Sequence, residues 1–392
     1  MTSPAEHLRV DTLPPPSMHP ASGFDGSKNA PPPSRQIGLD IARAVAVLGM
    51  LFAHFATSKL DEARGWSVSV ARFTDGRAMP LFVVLSGAGL TLLLRSSDRP
   101  NRAVFGRAAV LLMLGLAFDY TTPIAVILQF YALFFVVALL ARRLSNRWLL
   151  IASGVIVGLG ALSQLHLMDH LPDGFERVSS TASGWGAIPL LLQPHVLASE
   201  LFFGGEYPFF PTFAFVLLGM WIARQNLSSL RLRKGLMVVG LGMAIVGYGA
   251  GWSTASHREV DVSAEVELPS MWWEVLDAHG HSQMPAWMVG SSGVAMAVIG
   301  VSLVAGDRFR RFTLPMANVG QLALTLYVAQ IALWRWPMKQ WPWGFAQVQE
   351  TELTALAFLA CLLGCWLWRR QFRRGPLEMV LRWSGGRSVS RP

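Results

Sequence analysis

Apolar residues gather along this chain into long runs rather than into stripes of helical or strand period. The hydrocarbon core of a bilayer is about 30 Å thick and takes roughly 20 helical residues to cross. Runs long enough to do so fall near 37–56, 78–94, 103–119, 123–141, 148–166, 208–224, 235–252, 285–305, 317–335 and 354–370. In hydrocarbon each backbone polar group must be satisfied within its own segment, so every run is expected as a helix. The pattern therefore predicts an all-α polytopic membrane bundle of about ten transmembrane helices. An eleventh run, 186–203, contains Pro189, Pro194, His195 and Glu200, and is expected as an interfacial or re-entrant segment. No internal repeat is visible, neither direct nor inverted.

The polar stretches divide the chain into three parts. Residues 1–35, rich in Pro, Ser and Gly, are expected as a disordered cytoplasmic tail without a signal-peptide core. Residues 36–383 form the membrane domain, and 384–392 a second cytoplasmic tail.

Charge settles the orientation this pattern implies. Only 15% of the 392 residues are charged and 52% are hydrophobic, whereas a soluble domain carries about 25% charged residues. The net charge of +9 would suit a nucleic-acid partner if it formed a groove. Instead most basic residues occupy short segments on one side of the runs, which predicts an N-in/C-in topology by the positive-inside bias. Acids concentrate in the outer segments 167–206 and 253–284. Trp334, Trp336, Trp341 and Trp343 beside Lys339 read as an interfacial belt. Cys361 and Cys365, four apart in the last run, read as small apolar fillers rather than metal ligands. Neither a phosphate-binding Gly-x-x-x-x-Gly-Lys nor a His-Glu-x-x-His is present, which argues against an ATP-driven pump or a zinc hydrolase.

Chemistry enters with the first run, which holds Asp40, Arg43 and His54. Ionisable groups are costly in hydrocarbon and by default face a bundle interior. Asp40 and Arg43 are three apart and can pair on one helix face. Arg43 and His54 are eleven apart, about three turns, so one polar stripe separates them by about 16 Å along the axis. A capped helix start with a histidine at headgroup level meets the same spacing, and periodicity does not choose between the two. The second run opens with Asp75, Arg77 and Pro80 and continues into Ser86, Gly87 and Gly89, a small-residue face expected against the first helix. Asp75 and Arg77 would pair with each other or orient His54. Further candidates are Gln129 and Tyr131 in the fourth run, Glu206 beside Tyr207, and His279 and His281 before the eighth run.

These segments resemble a family. The stretch LDIARAVAVLGMLFAHF has the Arg-x10-His pattern of the acyltransferase-3 family, and LFVVLSGAGL is similar to that family's following Ser-Gly helix, with Val83 in place of a phenylalanine. The same region, with AVILQFYAL around Gln129, resembles the catalytic domain of heparan-α-glucosaminide N-acetyltransferases. Later segments, GEYPFFPTFAFVLLGMWIAR at 205–224, HSQMPAWMVGSSGVAMAVIG at 281–300, GQLALTLYVAQ at 320–330 and GPLEMVLRW at 375–383, resemble bacterial YeiB-type membrane proteins. One departure stands out: the heparan-type enzymes carry their histidine in the loop after the first span, and residues 57–75 here contain none.

The resemblance implies a transmembrane acyltransferase of the bacterial inner membrane. It would move an acyl group, acetyl in the simplest case, from cytoplasmic acyl-CoA to a sugar-type hydroxyl or amine at the outer face. His54 carries over as base or acyl carrier, with Asp75 beside it. Arg43, Asp40 and Gln129 take the donor side, and Arg77, Glu206 and His281 the acceptor side. No metal and no nucleic acid enter this reading, and a homodimer is compatible with it. The alternative is a transporter or exporter of a small molecule or lipid-linked substrate, and a third reading is a non-catalytic membrane partner.

Overall fold

The computed structural model describes residues 36–56, 66–119, 126–162, 202, 207–261, 275–335 and 350–386. In chain order the helices are α1 (Ile37–Ala56), α2 (Trp66–Thr74), α3 (Ala78–Ser96), α4 (Pro100–Asp119), α5 (Leu128–Ala141), α6 (Asn146–Leu162) and α7 (Phe209–Arg224). They continue with α8 (Leu230–Asp261), α9 (Pro285–Arg308), α10 (Arg310–Gln321), α11 (Ala323–Arg335), α12 (Glu350–Gln371) and α13 (Pro376–Ser384). The expected tail 1–35, the segment 186–203 apart from Phe202, and the last six residues lie outside this description.

The fold is an all-α membrane bundle, but the expectation of about ten full spans is overturned. Among the described residues five helices are long and apolar enough to cross: α1, α3, α4, α8 and α9. A sixth arises if α10 and α11, bent by 61° at their junction, count as one broken span. Three expected spans are shorter apolar helices, α5, α6 and α7. At 14 to 17 residues and 1.5 Å per residue they fall short of the ~30 Å core. The helices stand where the apolar runs do, but a run of apolar residues does not reveal where its helix starts.

The α10–α11 break has a cause on another element. Glu378 of α13 accepts hydrogen bonds from the backbone amides of Leu324 and Thr325, at 2.9 and 3.1 Å, and from the Thr325 hydroxyl at 2.5 Å. A helix start leaves its first amides without intrahelical acceptors, and a carboxylate at that positive end satisfies them. Glu378 thus caps α11 from 53 or 54 residues away. Replacing it with Ala is expected to cost about 1–3 kcal/mol, the value of charge-assisted hydrogen bonds lost to buried donors. Chemical unfolding in detergent measures it, and an unchanged midpoint would show that the cap contributes nothing.

Helices α1, α3 and α9 form the centre, with 61 to 72% of their span windows buried, while α4 and α8 lie outside at 33 and 22%. Val238, Leu241, Ile245 and Trp252 of α8 are exposed large apolar side chains, suited to lipid contact. The small-residue face of α3 serves two partners rather than one. A Cβ on Gly89 would come 3.3 Å from the Arg43 guanidinium of α1. Gly87 instead meets α7, where a Cβ would collide with the Val216 carbonyl, and Gly219 of α7 meets the Val84 carbonyl in the same way. The two backbones touch because neither residue has a side chain.

Candidate functional site

One end of the bundle is stitched together by arginines. Arg95 donates to the Ala223 carbonyl at 3.1 Å, Arg224 to the carbonyls of Leu144 and Arg142, and Arg142 to the Asn101 side chain at 2.9 Å. Arg233 pairs with Asp307 at 2.6 Å. Arg95 and Arg224 satisfy carbonyls left over at or just beyond helix C-termini. Asp40 and Arg43 lie toward this end of α1. Arg43 Nη1 is 2.8 Å from Asp40 Oδ1, and Gln321 Nε2 donates to Asp40 Oδ2 at 3.2 Å. The buried carboxylate thus holds Arg43 with one oxygen and the last residue before the α10–α11 break with the other. The Asp40–Arg43 pairing expected from their spacing is present.

Three turns along α1, His54 opens onto a cavity of about 300 Å³. Asp75 and His281 line the same cavity, together with Thr74, Tyr207 and Tyr327. Two turns of chain carry the added groups. Asp75 follows α2, its amide donating to the Ala71 carbonyl at 2.7 Å, and Gly76 turns the chain into α3 with φ +63°. The second turn, ahead of α9, contains His281 and Gln283 at φ +65° and +61°.

The two turns are clasped. Trp287 Nε1 donates to the Gly76 carbonyl at 3.0 Å, and the Ser291 hydroxyl to the same oxygen at 3.3 Å. Gly280 packs so closely on Gly76 that a Cβ on Gly76 would run into it. Glycine is needed at Gly76 on both counts, the positive φ and the contact. The His281 ring packs edge-on against Tyr207 at 5.8 Å and tilted against Trp287 at 5.9 Å.

The remaining candidates sit elsewhere. Arg77 turns away from the cavity, its guanidinium 4.3 Å from the centre of the Tyr248 ring and bonded to the carbonyls of Arg72, Phe73 and Asp75. Gln129 is buried against Gly115 at the α4–α5 contact. Tyr131 packs in an aromatic cluster with Phe82 and Phe134. His279 is exposed and bonded to Asp277 at 2.6 Å. Glu206 lies outside the described residues. Among the described residues no group of three His, Cys, Asp or Glu side chains is placed to hold a metal ion. Sequence reasoning missed Tyr327 and Trp287. Both lie in segments, 320–330 and 281–300, that resemble YeiB-type proteins, but a lone aromatic in an apolar run does not stand out from the packing residues around it.

Residues 35–245 match the family described as "Heparan-alpha-glucosaminide N-acetyltransferase, catalytic", more than half of the chain and the part that contributes Arg43, His54, Asp75 and Tyr207. The chain belongs to that family. A second match, "Protein of unknown function (DUF418)", covers residues 220–385. The cavity draws on both, since His281 and Tyr327 come from the second region alone. The chain is also similar to the "Uncharacterized protein YeiB" of Escherichia coli (strain K12), 25% identical over 405 residues, covering 89% of this chain and 95% of the relative. The long apolar helices and the bacterial relative identify a multi-pass protein of the bacterial inner membrane. Within the family the absence of a histidine from residues 57–75 leaves His54 as the cavity histidine on the first span.

Proposed function

We propose that the protein is an acyltransferase, taking an acyl group, acetyl in the simplest case, from cytoplasmic acyl-CoA and passing it to a sugar-type hydroxyl or amine at the opposite face. The observation that carries this reading is the pairing of ends along α1: Arg43 at the arginine-rich end, and His54 with Asp75 in a cavity at the other. Basic loops favour the cytoplasmic side, which is where CoA resides. An extended pantetheine arm suits the ~16 Å between Arg43 and His54. Arg43, fixed by Asp40 and left accessible beside Gly89, is suited to a phosphate or a pantetheine amide. The His54 imidazole then acts on the thioester carbonyl, and the Asp75 carboxylate across the cavity stabilises the charge the ring acquires.

Acetyl-CoA binding to the purified protein tests the donor half of this reading. Micromolar binding is expected, weakened roughly tenfold or more by Arg43→Gln, since a charge-assisted hydrogen bond contributes about 1.5–3 kcal/mol. Well-folded protein that binds no acyl-CoA would refute it.

A transporter or exporter is the second reading, and one observation favours it: the 61° break between α10 and α11 beside Asp40. Broken helices at a substrate site are a transporter trait. The two readings part on acyl-CoA: the acyltransferase binds it and cleaves its thioester, whereas the transporter does neither.

A further inference from the structure

Within the acyl-transfer reading, on which this step rests, we infer that His281 is the acceptor-side base and divides the chemistry with His54. A single histidine suffices for direct transfer, yet two imidazoles line this one cavity. They come from different directions. His54 ends the polar stripe of α1 that begins at Arg43. His281 stands on the turn before α9, whose other end, Arg308, belongs to the arginine-rich face. The acceptor arrives from the end away from the arginines, where the His281 turn stands.

The turn is built to hold that ring. Non-glycine residues at φ near +65° are strained, and such strain persists where surrounding contacts fix it. Here the contacts are the Gly76–Gly280 approach and the Trp287 bond to the Gly76 carbonyl. Tyr207 and Trp287 flank the imidazole. His279, two residues earlier on the same turn, shows the contrast: it is exposed, pairs with Asp277 and lies outside the cavity. His281 also lies beyond the 35–245 region matched by the acetyltransferase family, so it adds to the site something that match does not supply.

The steps balance. In the first half a ring nitrogen of neutral His54 attacks the thioester carbonyl, a C–N bond forms and the C–S bond breaks. The thiolate leaves with that electron pair and takes up the proton released from the other ring nitrogen of His54. In the second half neutral His281 removes the proton from the acceptor hydroxyl or amine as its oxygen or nitrogen attacks the acyl carbon. The C–N bond breaks, its electrons return to the His54 ring, and His281 passes the proton to that ring. Acyl-CoA and acceptor have become acylated acceptor and free CoA, with both histidines neutral again.

The two halves are measured separately. Label exchange between free CoA and acetyl-CoA reports the first, and acetyl transfer to glucosamine reports the whole. His281→Gln is expected to keep exchange and to lose transfer by about 10²-fold or more, the usual contribution of a general base. Hydroxylamine is largely unprotonated at neutral pH and needs no base, so it should restore acyl transfer in His281→Gln and His281→Ala but not in His54→Gln. His279→Gln serves as the control with both rates unchanged. Full transfer to glucosamine by His281→Gln would overturn the assignment. So would loss of exchange together with transfer and no rescue by hydroxylamine, which would mark a structural role. Wild-type protein without any exchange would instead overturn the covalent step on which the assignment depends, while acetyl-CoA binding and transfer by that same protein would leave the acyl-transfer reading standing.

Discussion

His54→Gln is expected to lower acyl transfer by at least about 10²–10⁴-fold, with the thermal unfolding midpoint left close to wild type. The imidazole projects from the last turns of α1 into a cavity rather than into packed core. Glutamine keeps a polar side chain of similar reach there, so no buried charge is stranded and no void opens. What is lost is a nitrogen able to attack a carbonyl or to take up a proton as the acyl group is transferred. Turnover of acetyl-CoA and a melting curve on the same sample check both halves. A collapse in stability would make the histidine structural, and unaltered turnover would remove it from the chemistry.

The largest stability effect is expected at the α3–α7 crossing. Gly219→Val sets two methyl groups and a Cβ against the Val84 carbonyl, and Gly87→Val does the same against Val216. The atoms in the way are backbone, which cannot rotate aside as a side chain would. Overpacking costs about 1–3 kcal/mol and sometimes more, and a rigid backbone contact belongs at the upper end. Helix α3 carries the Asp75–Gly76 turn at its start, so separating α3 from α7 should also distort the cavity and reduce turnover. Gly242→Val on α8 is the control, since nothing lies within 4 Å of its Cβ position, and it should be close to neutral. Equal tolerance at Gly219 and Gly242 would mean the helices do not cross as described.

How much of this was legible in the sequence depended on the range of the interaction. Asp40, Arg43 and His54 announce themselves because ionisable residues in an apolar run are costly, and the i, i+3 spacing of the first two is a local property. The number of spans was not legible in the same way. A hydropathy window spreads 317–335 evenly, while the chain breaks at Gln321–Leu322 because Glu378, far along the sequence, captures the amides of Leu324 and Thr325. The window 123–141 likewise hides a helix that begins only at Leu128. Gly87 and Gly89 signal close packing, but which helix each meets is decided by tertiary arrangement. The same holds for His281: a loop histidine in the sequence becomes a wall of the His54 cavity only because Gly76 and Gly280 bring two distant turns together.

The central claim is that an acyl group crosses to an acceptor while CoA stays behind. Protein reconstituted in sealed vesicles, with the arginine-rich face outward, separates these fates when acetyl-CoA labelled in both the acetyl and the CoA parts is added outside and glucosamine is enclosed. The account predicts acetyl label inside, on glucosamine, with CoA label remaining outside and the acetyl movement abolished by His54→Gln. Entry of the CoA label together with the acetyl label would contradict it, because acyl-CoA would then have been carried across whole.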